Sequence, residues 1–442
     1  MWILFSLCIL KIASKDYFSE KKMASYFYNT PQDFQIHGFC ERGFEDVEDV
    51  FRNNFEKKGE VGAAFTAMYK GRLVVDLWGG FRDKLRRQPW EKETMSIVFS
   101  TTKGISSLAF ALLHARGLLD FEERVAHYWP EFAKNGKAKI TVRQLLAHQA
   151  GLLTTDIPLT PQVIKNEHLL SKILADQKPF WEPGKYQGYH AWTIALYQNE
   201  ILKRIDPHKR SLSQFFHEEI AEKLGLEIFI GLPKGYNKKR IAELVPFDIY
   251  DVLFSPYAGM NLDIILQSID PRSKLFSFRS LLNLPFSINP QNFNKDEIRE
   301  LPIGSGCGFT SARDLAKLYH EFTLGGKTLG ISKETITELE NYPVYPTHSP
   351  KDVAIFVEVP FHLGFAKPSP FLNFGVNHRA YGSFGAGGSA VYADPESKLT
   401  TAYVMNKMGT HVAGDPREFA LRSSVYDCIE KMTKKKKIEV DG

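Results

Sequence analysis

The chain has 442 residues, of which 43% are hydrophobic and 24% charged, and a formal net charge of +5. That length and apolar content support a large globular core and exclude a disordered or fibrous chain. The small net charge carries no nucleic-acid signature. The four cysteines, Cys8, Cys40, Cys307 and Cys428, are too scattered for a zinc site or a disulfide scaffold.

Residues 2–10 form a short apolar run shaped like the core of a signal peptide. No basic residue precedes it, however, and Lys11 stands where a small residue is expected. The run is too short to cross a bilayer, so no membrane-spanning segment is expected. No Asn-x-Ser/Thr acceptor occurs, which makes an intracellular location at least as compatible as a secreted one. Residues 1–22 read as a targeting or non-domain extension, because the first stretch with folded-domain character follows Met23.

Residues 44–57 predict a helix. Residues 61–69 and 72–78, joined by the turn Lys70-Gly71, predict a hairpin. A polar loop then leads to Phe99-Ser100-Thr101-Thr102-Lys103-Gly104. This opens a strongly apolar helix carrying Ile105, Leu108, Ala109, Phe110, Leu112 and Leu113, with Gly117 as its C-cap. Thr141 caps a short helix reaching His148. From 118 to 303 helical segments alternate with Pro-rich loops, and residues 231–302 show few periodicities. A firm amphipathic helix follows at 311–323, with Leu315, Leu318, Tyr319 and Phe322 on one stripe. Strands are predicted at 353–359, 388–393 and 399–406. A last helix is capped by Asp415 with Pro416 at its first position, and Lys434 to Lys437 lie in a basic tail.

Strands at both ends with helices between predict an α/β fold of the α+β type. One antiparallel sheet from the N- and C-terminal segments is flanked by helices. The domain covers about 37–432, with an α/β part at 37–117 and 311–432, a mainly helical insert at 118–310, and a basic tail at 433–442.

Ser100 and Lys103 are the main chemical signal. A serine hydroxyl must lose a proton as it attacks, so a base has to stand within hydrogen-bond reach, and lysine serves only when neutral. Residues three apart on a helix share a face, which sets the amine beside the hydroxyl. The positive end of the helix dipole favours oxyanion character on Ser100 and disfavours a protonated lysine. The same residues also fit an ordinary core helix with Ser100 capping its first turn. Ser19 and Lys22 share the spacing but have no apolar helix behind them.

Five ordered motifs resemble the serine beta-lactamase and penicillin-binding-protein superfamily, and within it the family VIII carboxylesterase-like hydrolases. These are Val98-Phe99-Ser100-Thr101-Thr102-Lys103-Gly104, the stretch 141–152, Trp181-Glu182-Pro183-Gly184 leading to Gly188-Tyr189-His190-Ala191, the stretch 308–319, and Gly385-Ala386-Gly387-Gly388-Ser389 continuing to Asn406. The resemblance implies Ser100, Lys103 and Tyr189 as catalytic residues, with Tyr186 a rival for the tyrosine. It implies the amides of Ser100 and Ala386 as the oxyanion hole, and Ser383, Phe384 and Gly385 as a substrate-binding strand edge. The family's asparagine is Ala191 here and its strand cation is Ser383, which points away from penicillins and anionic substrates. His148 and His190 match positions that look structural.

The implied function is a serine hydrolase working by acyl transfer on a small-molecule ester or amide, with no cofactor and no metal. A peptidase or amidase, and a catalytically weak scaffold or filament-forming protein, are the alternatives. A homo-oligomer is compatible with all three.

Overall fold

The computed structural model describes residues 33–247, 251, 283–369, 377–411 and 414–441, with side chains of the last helix through 435. The expectations for residues 1–22, including Ser19 and Lys22, lie outside the described residues, as do residues 248–250 and 252–282 of the 231–302 stretch.

Strands β1 (Ile36–Cys40), β2 (Gly62–Tyr69) and β3 (Arg72–Asp83) come from the N-terminal part. The short β4 (Ser96–Ile97), β5 (Ile228–Ile230) and β6 (Gly308–Thr310) follow, and β7 (Phe361–His362), β8 (Phe365–Ala366), β9 (Tyr381–Phe384), β10 (Ala390–Asp394) and β11 (Leu399–Met405) complete the set. Among the described residues the large sheet runs β1-β3-β2-β11-β10-β9-β8-β7, with Gln88–Pro89 pairing onto β3; β4, β6 and β5 form a second, three-stranded sheet. Every pairing between these described strands is antiparallel, and the N- and C-terminal parts join where β2 meets β11, from Tyr69 opposite Leu399 to Ala63 opposite Met405.

Alternation along these strands feeds two cores. Ala63, Phe65, Ala67, Tyr403 and Met405 face helix α1 (Asp46–Lys57) and the C-terminal helix, whose Leu421, Val425 and Cys428 complete that layer. Helix α1 is set by Val47, Phe51 and Phe55 at four-residue spacing, with acids in its first turn and Lys57 in its last, as the helix dipole favours. On the other face Ala64, Val391, Ala393, Ala402 and Val404 join a larger core with helix α2 (Thr102–Ala115).

Every residue of α2 from Thr102 to Leu113 is buried. Its Leu108, Phe110, Leu112 and Leu113 each contribute about 1.5–3 kcal/mol of burial free energy, and its small residues let neighbours close in. Ser106 Oγ donates to the Gly304 carbonyl at 2.7 Å, and Gly364 approaches so closely that a Cβ there would lie 2.0 Å from Ser107 Oγ.

Helix α3 (Val142–Leu146) begins with a capping box between Thr141 and Gln144. Helices α4 (Glu167–Asp176) and α5 (Ile194–Ile205) lie in the middle of the chain. Helix α6 (Ala312–Thr323) is capped by Ser311 and sets Leu315, Leu318, Tyr319 and Phe322 in the larger core. Helix α7 (Lys333–Glu340) precedes the closing strands, and α8 (Pro416–Asp441) ends the chain.

Three expectations are corrected. Residues 353–359 do not form a strand: the Asp352 carboxylate holds the amides of Ala354 and Ile355 in a turn, and Phe356 takes a φ of +59°. Helix α2 starts at Thr102, because Phe99–Thr101 is a 3₁₀ turn without a side-chain cap. The helix α8 continues through Lys434 to Lys437, where a tail was expected.

Gly104 marks the tightest contact of α2. A Cβ there would lie 1.7 Å from the Tyr319 hydroxyl oxygen and 2.3 Å from Ser383 Oγ. Gly104→Ala is expected to lower Tm through overpacking worth about 1–3 kcal/mol, and Tyr319→Phe in the same chain to recover part of that loss. Thermal unfolding of the four-member cycle measures the coupling, and strictly additive shifts would contradict this packing.

Candidate active site

Ser100 sits in the 3₁₀ turn between β4 and α2, half-buried, whereas Lys103 one turn on is 3% exposed. Lys103 Nζ lies 2.9 Å from Ser100 Oγ, 2.7 Å from the Ala191 carbonyl oxygen and 2.8 Å from the Ser305 carbonyl oxygen. Burial alone holds the ammonium well below its ordinary value of 10.5. A neutral amine has two N–H bonds and one lone pair. The two carbonyls take the N–H bonds, which leaves the lone pair facing the serine hydroxyl.

The turn itself is strained and braced. Phe99 has φ +43°, rare for a bulky residue and costing about 1–3 kcal/mol. Its ring packs edge-on to Phe293 at 5.1 Å. Thr102 Oγ1 donates to the Phe99 carbonyl and accepts from the Gly308 amide at 2.9 Å, which ties the turn to β6.

Tyr189 is half-buried, with its ring centroid 4.8 Å from Lys103 Nζ. Burial pushes the phenol up, against a smaller opposing pull from the nearby Ser100, so the hydroxyl stays protonated at neutral pH. The Asp352 carboxylate accepts from the Tyr189 amide at 3.1 Å, and from Gln187 Nε2 at 3.2 Å on its other oxygen. Stacking on Phe361 at 5.4 Å fixes the ring. Tyr186 faces elsewhere: its carbonyl accepts from Trp181 Nε1 and its ring lies 5.1 Å from His348.

The two histidines form a scaffold under Tyr189. His148 ends α3 in the left-handed region with φ +58°, where glycine or asparagine is usual. The Gln149 and His148 amides return to the carbonyls of Gln144 and Leu145, closing the helix end. His148 Nδ1 accepts from the His190 amide at 2.9 Å, and His190 Nε2 accepts from the Leu152 amide at 3.0 Å. Assigned from this network, His148 is protonated on Nε2 and His190 on Nδ1, the latter donating to the Gly188 carbonyl. Burial lowers both, His148 well below 6.5 and His190 to about 4.

The C-terminal strands bring in the remaining residues. Gly385 packs where a Cβ would lie 2.2 Å from the Val98 carbonyl oxygen, so only glycine lets β9 reach the serine turn. Ser389 Oγ donates to that same carbonyl at 2.8 Å, and Thr101 Oγ1 lies 3.1 Å from the Ser389 carbonyl oxygen. Ala386 is exposed beside this brace, and neither its amide nor that of Ser100 bonds to an acceptor among the described residues. Phe384 is half-buried against the Tyr189 and Phe361 cluster. Ser383 turns inward, with its hydroxyl 3.2 Å from that of Tyr319, so it offers no free group to the cleft.

The sequence did not single out Ser305, Asp352 or Phe99. Ser305 and Ala191 act through main-chain oxygens, which leave no residue signature. The run Gly304-Ser305-Gly306 is the sole local hint, and a Cβ at Gly306 would lie 2.4 Å from the Trp192 ring.

The chain matches the Beta-lactamase family over residues 47–425. It belongs to that family. The beta-lactamase family is a group of serine hydrolases, and this member is an enzyme of that class. It is 30% identical over 390 residues to the esterase/beta-lactamase LipL of Mycobacterium tuberculosis, covering 85% of this chain and 83% of the relative. Among solved structures it resembles a family VIII carboxylesterase, with TM-score 0.78 and 33% identity, over 89% of this chain and 100% of that one. A penicillin-binding-protein homologue from Caulobacter crescentus matches with TM-score 0.73 and 31% identity, over 89% and 100%. No helix among the described residues is long and apolar enough to cross a membrane.

Histidines kept neutral by burial give this family member an acid-sensitive fold. A histidine with a lowered folded pKa contributes stability above its unfolded value near 6.5, and that stability is lost as pH falls toward the folded value. For His190, whose folded value is about 4, the loss spans that interval and is on the order of 3 kcal/mol. Tm is expected to fall steadily from pH 7 to pH 4 and to fall less in His190→Gln. A wild-type Tm that stays flat over this range would contradict the assignment.

Proposed function

We propose that the protein is a serine hydrolase that cleaves small-molecule esters by acyl transfer through Ser100. The observation that carries this reading is the Lys103 amine, desolvated, bonded to two carbonyls and 2.9 Å from Ser100 Oγ. As the Ser100 oxygen bonds to the ester carbonyl carbon, its proton moves to the Lys103 lone pair. The oxyanion that forms is met by the amides of Ser100 and Ala386. The tetrahedral carbon then expels the alcohol oxygen, which takes a proton from Tyr189, and the proton on Lys103 restores the phenol. A water molecule repeats the sequence on the acyl-enzyme to release the acid.

Two substitutions shape the substrate preference. Ala191 brings no side-chain amide to the cleft, and the Ser383 hydroxyl is engaged by Tyr319, so nothing at these two positions recognises a lactam side chain or a carboxylate. The names of the relatives, an esterase/beta-lactamase and a carboxylesterase, support ester cleavage. Phe384 adds an apolar wall.

A fluorophosphonate probe is expected to label Ser100 in the wild type and to fail on Ser100→Ala and Lys103→Arg. Absence of wild-type labelling on folded protein would overturn the reading. Tyr189→Phe should lower turnover of p-nitrophenyl esters by about 10²–10⁴-fold, and an aminoacyl anilide should turn over more slowly than the ester. The lysine is active only when neutral, so kcat/KM should rise with pH through a midpoint well below 10.5 and then level off. A limb still rising at pH 10 would rule out Lys103 as the base.

A further inference from the structure

The turn 385–389, which carries the Ala386 amide, is held from beneath by a buried ion cluster that no step of the chemistry uses. The Gly387 carbonyl oxygen accepts from Arg417 Nη2 at 2.8 Å and from the Gly409 amide at 2.8 Å. Arg417 stands in the first turn of α8, and all of its side-chain donors are engaged. Its Nε and Nη2 bond to the two Asp415 oxygens at 3.0 and 2.9 Å, and its Nη1 reaches the Lys407 carbonyl at 3.0 Å and the Glu60 carboxylate at 3.3 Å. Tyr403 donates to Glu60 from the sheet. Arg417, Asp415, Glu60 and Tyr403 are all buried.

The glycines around this cluster follow from its position. A Cβ at Gly388, whose φ is +120°, would lie 2.6 Å from Asp415 Oδ2; one at Gly409 would lie 2.2 Å from the same atom and 2.8 Å from Arg417 Nη2. The ion pair is therefore pressed against the backbone of the turn on one side and of the 406–411 loop on the other. A planar guanidinium with five donors in a fixed fork can meet two carboxylates and two carbonyls at once, whereas an ammonium cannot.

We propose that Arg417 is a positioning residue for the oxyanion hole: with Asp415 and Glu60 it clamps the Gly387 carbonyl, and the Gly388 amide of that same peptide plane, donating to the Gly385 carbonyl at 3.1 Å, fixes the plane that carries the Ala386 amide. The inference rests on the reading of Ala386 as an oxyanion donor. A short glycine-rich turn can rotate its peptide planes at little steric cost. A donor that must reorient as charge develops stabilises the transition state less than one already fixed.

The test compares wild type with Arg417→Lys and Gly409→Ala in the full chain, each checked for folding by circular dichroism and Tm. Gly409→Ala keeps every charge and pushes a methyl group into the clamp, so it decides the matter if Arg417→Lys does not fold. The readouts are kcat and KM on p-nitrophenyl acetate and the Ki of phenylboronic acid, whose adduct with a serine oxygen is tetrahedral. Arg417→Lys is expected to lower kcat about 10–100-fold, part of the 10²–10³ that loss of one donor costs, with KM nearly unchanged and Ki raised in proportion. Gly409→Ala should move both in the same sense by about three- to tenfold. A folded variant whose kcat and Ki stay at wild-type values overturns the clamp, and so does a fall in kcat with an unchanged Ki. Ester turnover that survives Ser100→Ala overturns the serine-hydrolase reading itself, an outcome that needs no Arg417 variant.

Discussion

An amine buried beside a serine, with no acid among the described residues bonded to it, is the constraint around which this structure is arranged. Transfer of an ammonium into such a site disfavours the charged form strongly. The fold meets this by giving Lys103 Nζ two carbonyl acceptors, from Ala191 and Ser305, and a hydroxyl at the third position. A carboxylate there would stabilise the charge and withhold the lone pair that the proposed chemistry uses. Among the described residues Lys103 Nζ meets two carbonyls and a hydroxyl and no carboxylate, so burial acts on it unopposed.

The rest of the fold delivers those partners from distant parts of the chain. Ala191 comes from the segment before α5, held by Asp352 and the His148–His190 pair. Ser305 precedes β6, whose Gly308 amide is bonded to Thr102 in the first turn of α2. The C-terminal strands close the other side through Gly385 and Ser389, both in contact with the Val98 carbonyl. Each approach needs a small residue or an unusual backbone, and the positive φ values of Phe99 and His148 cost about 1–3 kcal/mol each. The two cores on either face of the sheet offset that strain many times over.

The hydrophobic periodicity revealed the helices and the sheet-forming ends because those elements are set by local patterns. Helix 311–323 and the hairpin 61–78 are examples. The run 353–359 reads as a strand by composition, yet one buried carboxylate, Asp352, turns it by capturing two amides. Local propensity lost to a tertiary hydrogen-bond network. Within the site, spacing alone puts Ser100 next to Lys103, and the family phrase distinguishes Tyr189 from Tyr186. The carbonyls, the histidine at a left-handed helix end and the Arg417 cluster were not legible. They act through backbone groups, or across separations such as the 357 residues between Glu60 and Arg417, which a linear pattern does not encode.

Reliance on main-chain groups also explains how the site can carry Ala191 and Ser383, where the motif resemblance implies an asparagine and a cation, and keep its geometry. The residue at 191 contributes its carbonyl to Lys103 whatever its side chain, so alanine there leaves the contact with the amine unchanged. Ser383 packs against Gly104 with its hydroxyl beside that of Tyr319, a packing role that a longer cation could not play without moving α2. Under the proposed mechanism the two departures remove side chains that would meet a substrate and spare the backbone that holds Ser100 and Lys103. Selection at such a site can change what is bound without rebuilding what reacts, because the two tasks are carried by different atoms of the same residues.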